Sequence, residues 1–483
     1  MINTKPVQKI LGALLALFST TMLPPLAISV IYRDGMHSGF LAATAIILAV
    51  GFALYYPVRR NRDDLRLRDG FVVVVLFWTV LGTFGAVPLL LANDPQLSAA
   101  DAIFESISGL TTTGATVISG IDRLPPSILF YRQLLQWLGG MGIIVLAVAI
   151  VPMLGIGGMQ LYRAETPGPV KDSKLTPRIT ETAKALWLIY LTLTITCTLA
   201  YFACGMSLFD AVGHAFSTVS IGGFSTHDAS LGYFDNAIVE AVAVLFMVIA
   251  GANFSLHFVA WRSQSLRGYF EDAECRVYLR ILAATTLVCT FTLAVSATMG
   301  PLAALRAGLF HAVSIGTTTG FTTETFSGWP SFLPVLLLFA AFVGGCAGST
   351  GGGLKVIRVA LLFKQGMREI KRLIHPSAVI TIQMGGRAVP TRVVDSVWGF
   401  FATYVAVFGI LMVLVMATGM DQVTAFSAVA ASLNNLGPGL GDVALHYGEV
   451  SDPAKLILCL AMLLGRLEIF TLLVLLTPAF WRG

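Results

Sequence analysis

Charge is what this sequence has least of. Asp, Glu, Lys and Arg make up 12% of its 483 residues, with 31 basic and 26 acidic side chains and a formal net charge of +5. A soluble domain carries about 25% charged residues. Half that density cannot clothe a water-facing surface, so an ordinary soluble enzyme is excluded. At 56% hydrophobic residues, disorder is excluded too. Disulfide and metal patterns are also missing. The cysteines (Cys197, Cys204, Cys275, Cys289, Cys346 and Cys459) form no C-x-x-C pair and no Cys/His ligand spacing, and they read as small buried hydrophobes. Nothing calls for an organic cofactor or a nucleic-acid partner. What remains is an all-α polytopic membrane protein whose surroundings are a lipid bilayer.

Ten stretches are long and apolar enough to cross a bilayer, which takes roughly 20 residues. They are 8–32, 39–57, 70–93, 128–152, 184–205, 237–260, 277–299, 331–357, 395–418 and 455–479. The first is too long for a signal core and lacks a clear cleavage site, so it reads as a retained helix, kinked at Pro24-Pro25. Basic residues fall in alternate loops. They are Arg59, Arg60, Arg62, Arg66 and Arg68; Arg163, Lys171, Lys174 and Arg178; Arg262, Arg267, Arg276 and Arg280; and Lys364, Arg368, Lys371, Arg372, Arg387 and Arg392. Such loops stay in the cytoplasm. Both termini are expected there too, in agreement with Lys5 and Lys9.

Four segments between spans resemble one another: DAIFESISGLTTTGAT from Asp101, DAVGHAFSTVSIGGFS from Asp210, RAGLFHAVSIGTTTGFT from Arg306 and TAFSAVAASLNNLGPGLG from Thr424. Aligned on Gly114, Gly223, Gly320 and Gly439, they recur about every hundred residues. One column holds Glu105, His214, His311 and Ala430; another holds Ser108, Ser217, Ser314 and Leu433. The fourth copy diverges most. Each reads as span, half-helix, re-entrant loop, span. Irregular backbone at membrane depth is tolerated only where it is buried in protein or lines a water-filled path. Four such loops can surround one axis.

A dehydrated cation needs oxygens to replace its water, and backbone carbonyls with threonine hydroxyls supply them. Thr111-Thr112-Thr113-Gly114 and Thr317-Thr318-Thr319-Gly320 fit directly. Ser220-Ile221-Gly222-Gly223 is looser, and Asn434-Asn435-Leu436-Gly437-Pro438-Gly439 looser still. Glycine there admits torsions closed to other residues. Acids follow each loop: Asp122 (offset by Arg123), Asp228, Glu324 and Asp442. At a pore mouth they raise the local cation concentration. His214 and His311 read as packed, hydrogen-bonded half-helix residues rather than metal ligands.

The span after each loop carries a glycine: Gly139, Gly251, Gly348 and Gly465. The third goes further, with six glycines in ten residues: Gly344, Gly345, Gly348, Gly351, Gly352 and Gly353, around Ser349 and Thr350. Such a run breaks a helix. It is no nucleotide loop, because Leu354 stands where a lysine is required. Arg466 sits inside the last apolar stretch, at a cost of roughly 2.5–3.5 kcal/mol on insertion scales. Glu468 is on another face of an ideal helix. Carbonyls of the broken loop, around Gly348, are the expected partners of Arg466, and loop and arginine together read as a gate.

GLTTTGAT, GTTTGFTT, NNLGPGLG and GGCAGSTGGGLKVIR closely resemble the TrkH/TrkG/KtrB superfamily of potassium transporters. RDGFVVVVLFW at 68–78 and QWLGGMGIIVLA at 136–147 fit the same family. The resemblance spans essentially the whole chain. It implies potassium uptake across a bacterial inner membrane by a homodimer, with K⁺ as the bound and transported ion. It also implies a cytoplasmic TrkA-type nucleotide-binding ring as regulator, and gating by the glycine-rich loop with Arg466. Two spans ahead of the first repeat match the TrkH branch. The expected division is an N-terminal hairpin at 1–69 and repeats at 70–175, 176–268, 269–390 and 391–483. No TVGYG occurs, so a proton- or sodium-coupled cation symporter with poor K⁺/Na⁺ discrimination is the alternative. A carrier built on inverted repeats fits less well, because these repeats run parallel.

Overall fold

The computed structural model describes residues 4–61, 63, 66–145, 179–330 and 332–482. Arg62, Arg163, Lys171, Lys174, Arg178, the end of the expected 128–152 span and the 175/176 boundary lie outside the described residues. Among the described residues, the regular structure is helical apart from a small antiparallel hairpin, Gln383–Met384 with Arg387–Ala388.

Among the described residues, six helices are long and apolar enough to cross a bilayer: Thr4–Tyr32, His37–Val58, Arg68–Leu90, Ala183–Ala203, Ala273–Val295 and Thr391–Met416. A 3₁₀ turn at Thr20–Met22 interrupts the first, just ahead of Pro24-Pro25, because proline removes a helical N–H and crowds the preceding turn. The first helix lies on the second where Gly12 faces Gly51. A β-carbon on Gly12 would sit 2.8 Å from the Gly51 carbonyl oxygen, so only glycine permits this backbone approach.

Three of the expected spans are broken. The 331–357 stretch stops at Val343 and resumes at Val356, as its glycines anticipate. The 237–260 stretch bends by 95° between Ala250 and Phe254, and the 455–479 stretch by 115° between Arg466 and Phe470. In the first bend, the Asn253 side chain accepts a hydrogen bond from the Ser255 N–H (2.8 Å) and starts a new helix. In the second, Glu468 and Ile469 both take φ of 53°, which ends the helical ladder without any glycine.

Between the spans lie four short helices: Ala99–Leu110, Leu208–Val219, Pro301–Gly316 and Gln422–Leu433. With 12 to 16 residues each, they reach only about 18–24 Å, short of the roughly 30 Å hydrocarbon core. Ser98, Ser207 and Asp421 cap the N-termini of three of them, and Pro301 opens the fourth. An apolar cluster including Leu15, Phe40, Trp78, Phe104, Tyr447 and Leu458 packs the N-terminal helices onto the first and last short helices. Leu199, Phe291 and Val413 remain exposed along the long helices, as a hydrocarbon solvent allows.

Candidate functional site

Each short helix ends in the same turn. Thr113, Gly222, Thr319 and Leu436 donate their N–H groups to the carbonyls of Ser108, Ser217, Ser314 and Ala431, all at 2.8 Å. This is the bond of a Schellman cap. It forces the preceding residue into the left-handed region: Thr112 (φ 53°), Ile221 (56°), Thr318 (69°) and Asn435 (53°). Three of these are β-branched, for which that region is strained. The conformation recurs four times, in equivalent places, and three of the four bear the strain.

The next residues close a circuit. A β-carbon on Gly114 would collide with the Gly222 carbonyl oxygen, one on Gly223 with that of Thr319, and one on Gly320 with that of Leu436. A β-carbon on Gly437 would lie 2.7 Å from the Thr113 carbonyl oxygen, which returns to the first repeat. All four glycines have positive φ, from 78° to 97°. The fourth member is therefore Gly437, which corrects the alignment on Gly439. Gly439 bonds to the Val443 carbonyl (3.1 Å) and faces Ser427, outside the circuit. The columns shift with it, so Ala428 and Ala431, not Ala430 and Leu433, stand opposite His214 and Ser217. A sequence cue exists: Asp421 precedes Gly437 by the same interval that separates Ser98 from Gly114 and Ser207 from Gly223.

Threonine hydroxyls tie the circuit internally. Thr111 Oγ1 bonds Thr113 Oγ1 (2.8 Å), Thr317 Oγ1 bonds Thr319 Oγ1 (2.7 Å), and Asn435 Nδ2 donates to Thr113 Oγ1 (2.9 Å) across repeats. Side chains behind the turns hold the outgoing segments. Glu105 accepts from the Val117 N–H (2.9 Å) and pairs with Arg132 (2.7 Å), both fully buried. His214 Nε2 bonds Ser225 Oγ (2.9 Å), and His311 Nε2 bonds the Glu324 carbonyl (3.2 Å). Both histidines are thus the packed residues the sequence suggests.

The glycine-rich loop lies against the ends of three short helices. Thr350 Oγ1 donates to the Val219 carbonyl (3.1 Å), the Gly352 N–H to Thr318 Oγ1 (2.7 Å), and the Gly353 N–H to the Asn434 carbonyl (3.2 Å). A β-carbon on Gly351 would meet the Thr317 carbonyl at 2.9 Å. The loop has a narrow neck, since a β-carbon on Gly344 would fall 2.9 Å from Gly353 Cα. Gly345 approaches Ser349, whose hydroxyl bonds the Cys346 carbonyl (2.6 Å). Glu274 accepts from the Ala347 N–H (2.7 Å), a support the sequence reading missed.

Arg466 is buried and reaches this loop. Its Nη1 lies 3.4 Å from the Thr350 carbonyl oxygen and its Nη2 3.4 Å from that of Gly139. The loop partner is the Thr350 carbonyl, one of those expected around Gly348; the carbonyl of Gly348 itself is taken by the Phe254 N–H (3.1 Å). Glu468 pairs instead with Arg358 (2.7 Å). Lys355 Nζ donates to the Gly351 carbonyl (2.8 Å). A cavity beside the loop is lined by Lys355, Arg358, Arg466 and Glu468, together with Tyr404 and Asn435.

On the outgoing segments, Asp228, Glu324 and Asp442 are exposed. Asp228 accepts from the Gly120 N–H (3.0 Å) and Glu324 from Trp329 Nε1 (2.9 Å). His227, unforeseen in the sequence, stands between two acids. Its Nδ1 bonds Asp122 Oδ1 (2.5 Å), and its Nε2 lies 3.5 Å from Asp210 Oδ1. Among the described residues, no group of three or more His, Cys, Asp or Glu could hold a metal ion.

Apolar crossing helices around a buried circuit of strained backbone define a polytopic membrane transport protein. The family model for TrkH, described as a cation transport protein, matches residues 36–482. The chain is 59% identical over 480 residues to the Trk system potassium uptake protein TrkH of Halomonas elongata, covering 99% of this chain and 100% of that one. To the protein of that name in Escherichia coli K12 it is 54% identical over 479 residues, covering 99% of both. The crystal structure of the potassium transporter TrkH from Vibrio parahaemolyticus matches with a TM-score of 0.93 at 56% identity over the whole of both chains. The chain belongs to the TrkH family of cation transport proteins, which are transporters and not enzymes.

Proposed function

We propose that this chain is the potassium-translocating membrane subunit of a Trk-type uptake system in a bacterial inner membrane. The observation that carries the reading is the circuit of four glycine turns, each abutting a carbonyl of the next. Carbonyl oxygens of Thr113, Gly222, Thr319 and Leu436, with nearby threonine hydroxyls, replace the water of an entering K⁺. The names of the relatives supply the identity of the ion. Exposed Asp228, Glu324 and Asp442 concentrate cations outside. The glycine-rich loop plugs the inner side, and Arg466 holds it through the Thr350 carbonyl while its charge repels cations. Opening swings the loop about its Gly344–Gly353 neck. The chain works as a homodimer with both termini in the cytoplasm, and a cytoplasmic TrkA-type nucleotide-binding ring releases the gate.

The test is purified protein in liposomes, with Rb⁺ and Na⁺ uptake compared under an imposed voltage, with and without a pH gradient. Voltage-driven Rb⁺ uptake exceeding Na⁺ uptake is expected. Uptake that requires the pH gradient, or equal uptake of the two ions, contradicts the reading and favours a coupled symporter.

A further inference from the structure

The second repeat's turn lacks a side chain that its neighbours have. Immediately before the circuit glycines stand Thr113, Gly222, Thr319 and Leu436. In the first and third repeats that threonine hydroxyl bonds the threonine two residues earlier (2.8 and 2.7 Å). In the second repeat Gly222 offers nothing, and Ser220 Oγ turns back to the Ser217 carbonyl (3.2 Å).

The vacant volume is filled from elsewhere. A β-carbon on Gly222 would run into the carboxamide of Gln136, 2.5 Å from its Oε1. Gln136 is fully buried on the Pro126–Val145 helix of the first repeat. Its Nε2 donates to the Gly222 carbonyl (2.6 Å), and its Oε1 accepts from the Phe224 N–H (3.0 Å). One carboxamide thus straddles Gly223. Arg132, one turn away, reaches the same extended segment: its Nη1 lies 3.4 Å from the Ser225 carbonyl oxygen and its guanidinium carbon 4.2 Å from the Phe224 ring centre. Of the four carbonyls in the circuit, Gly222's is the one engaged by a protein donor among the described residues.

We infer that Gln136 is a specificity-determining residue of the second-repeat turn, a side chain supplied in place of the one Gly222 lacks. This inference rests on the reading of the circuit as a K⁺ filter. A carbonyl already accepting a hydrogen bond presents a weaker field to an ion, which disfavours the small Na⁺ more than the larger K⁺. The second bond, from Phe224, fixes the torsions of Gly223. Gln136 touches one filter carbonyl directly and positions the next residues.

The experiment is the Rb⁺/Na⁺ uptake ratio of liposome-reconstituted full-length variants. Gln136→Ala is expected to lower the ratio roughly five- to tenfold, the worth of one or two lost hydrogen bonds. Gly222→Thr alone is expected to abolish uptake, because its side chain meets Gln136. The double variant, Gln136→Ala with Gly222→Thr, is expected to recover uptake and part of the ratio, because it rebuilds the threonine turn of the other repeats. A merely structural role for Gln136 predicts additive losses instead. If Gln136→Ala does not fold, Gln136→Met takes its place, keeping length and bulk while removing both bonds. An unchanged ratio in the single variant, or a double variant no better than Gly222→Thr, overturns the inference. So does a double variant that fails to fold. A wild-type protein that itself shows no preference for Rb⁺ overturns the filter reading instead, which separates the two failures.

Discussion

At the scale of single residues, two glycines two positions apart have different work. Gly437 has φ of 97° and stands against the Thr113 carbonyl, whereas Gly439 lies off the circuit and lacks a positive φ. Gly437→Ala is therefore expected to lower the Rb⁺/Na⁺ ratio on the order of tenfold, for roughly 1–2 kcal/mol of strain. Gly439→Ala presses only on Val443 Cγ2 and Ser427 and is expected to change the ratio less than twofold; equal effects in flux assays contradict the corrected register. His227 gives a pH-dependent contact. Burial disfavours its charge, but Asp210 and Asp122 outweigh burial and hold its pKa above the ordinary 6.5. Burial likewise opposes ionisation of Asp122, and His227 with Asp228 overcomes it, so its pKa is lowered. The histidine contributes stability fully below 6.5 and loses it as pH rises through its raised value. The aspartate contributes above 3.8 and loses it in acid. The link between the first two repeats is strongest between those limits. NMR titration of His227 should give a midpoint above 6.5, and a midpoint at or below it refutes the clamp. Little of this was legible in sequence. His227 meets Asp122 across 105 positions and Gln136 meets Gly222 across 86, and local pattern carries no such pairing.

At the scale of elements, the apolar runs located the long helices, and the six glycines in ten residues located the break between Val343 and Val356. The bends in the second and fourth repeats escaped because hydropathy stays high through both. Gly251 and Asn253 mark the first, as a helix C-cap and an N-cap, and Glu468–Ile469 contains neither glycine nor proline. There the Arg358–Glu468 pair (2.7 Å) holds the bend residue, a tertiary override of local preference. The loop itself carries a prediction. Deleting Ser349-Thr350-Gly351 removes the Thr350 contacts to Val219 and Arg466. That deletion, and Arg466→Ala, should each raise basal Rb⁺ uptake without a regulator on the order of tenfold, equivalent to about 1.4 kcal/mol in the gate equilibrium. The ratio to Na⁺ should hold, because the circuit keeps its own bonds. Lower uptake with little folded protein would instead make Arg466 a structural member of the fold.

At the scale of the whole molecule, the repeats are bound to one another beyond the circuit. The Tyr447 N–H donates to the Thr116 carbonyl (2.7 Å), tying the fourth repeat to the first, and the Gly232 N–H donates to the Thr322 carbonyl (3.2 Å), tying the second to the third. The family was legible in four short motifs, but this lacing was not, because it depends on how the outgoing segments meet in space. The proposed regulator belongs to this scale as well. A TrkA-type ring from the same organism is expected to co-elute with the purified chain at low salt, and failure to do so counts against that partner. In the proposed function, four turns close around one cation. Crystals of the protein soaked in Rb⁺ or Tl⁺ test it through anomalous scattering. A peak on the axis among Gly114, Gly223, Gly320 and Gly437, displaced by excess K⁺ and weakened in Gly437→Ala, is the expected result. A circuit without such a peak at saturating ion, or peaks only in other crevices of the molecule, contradicts it.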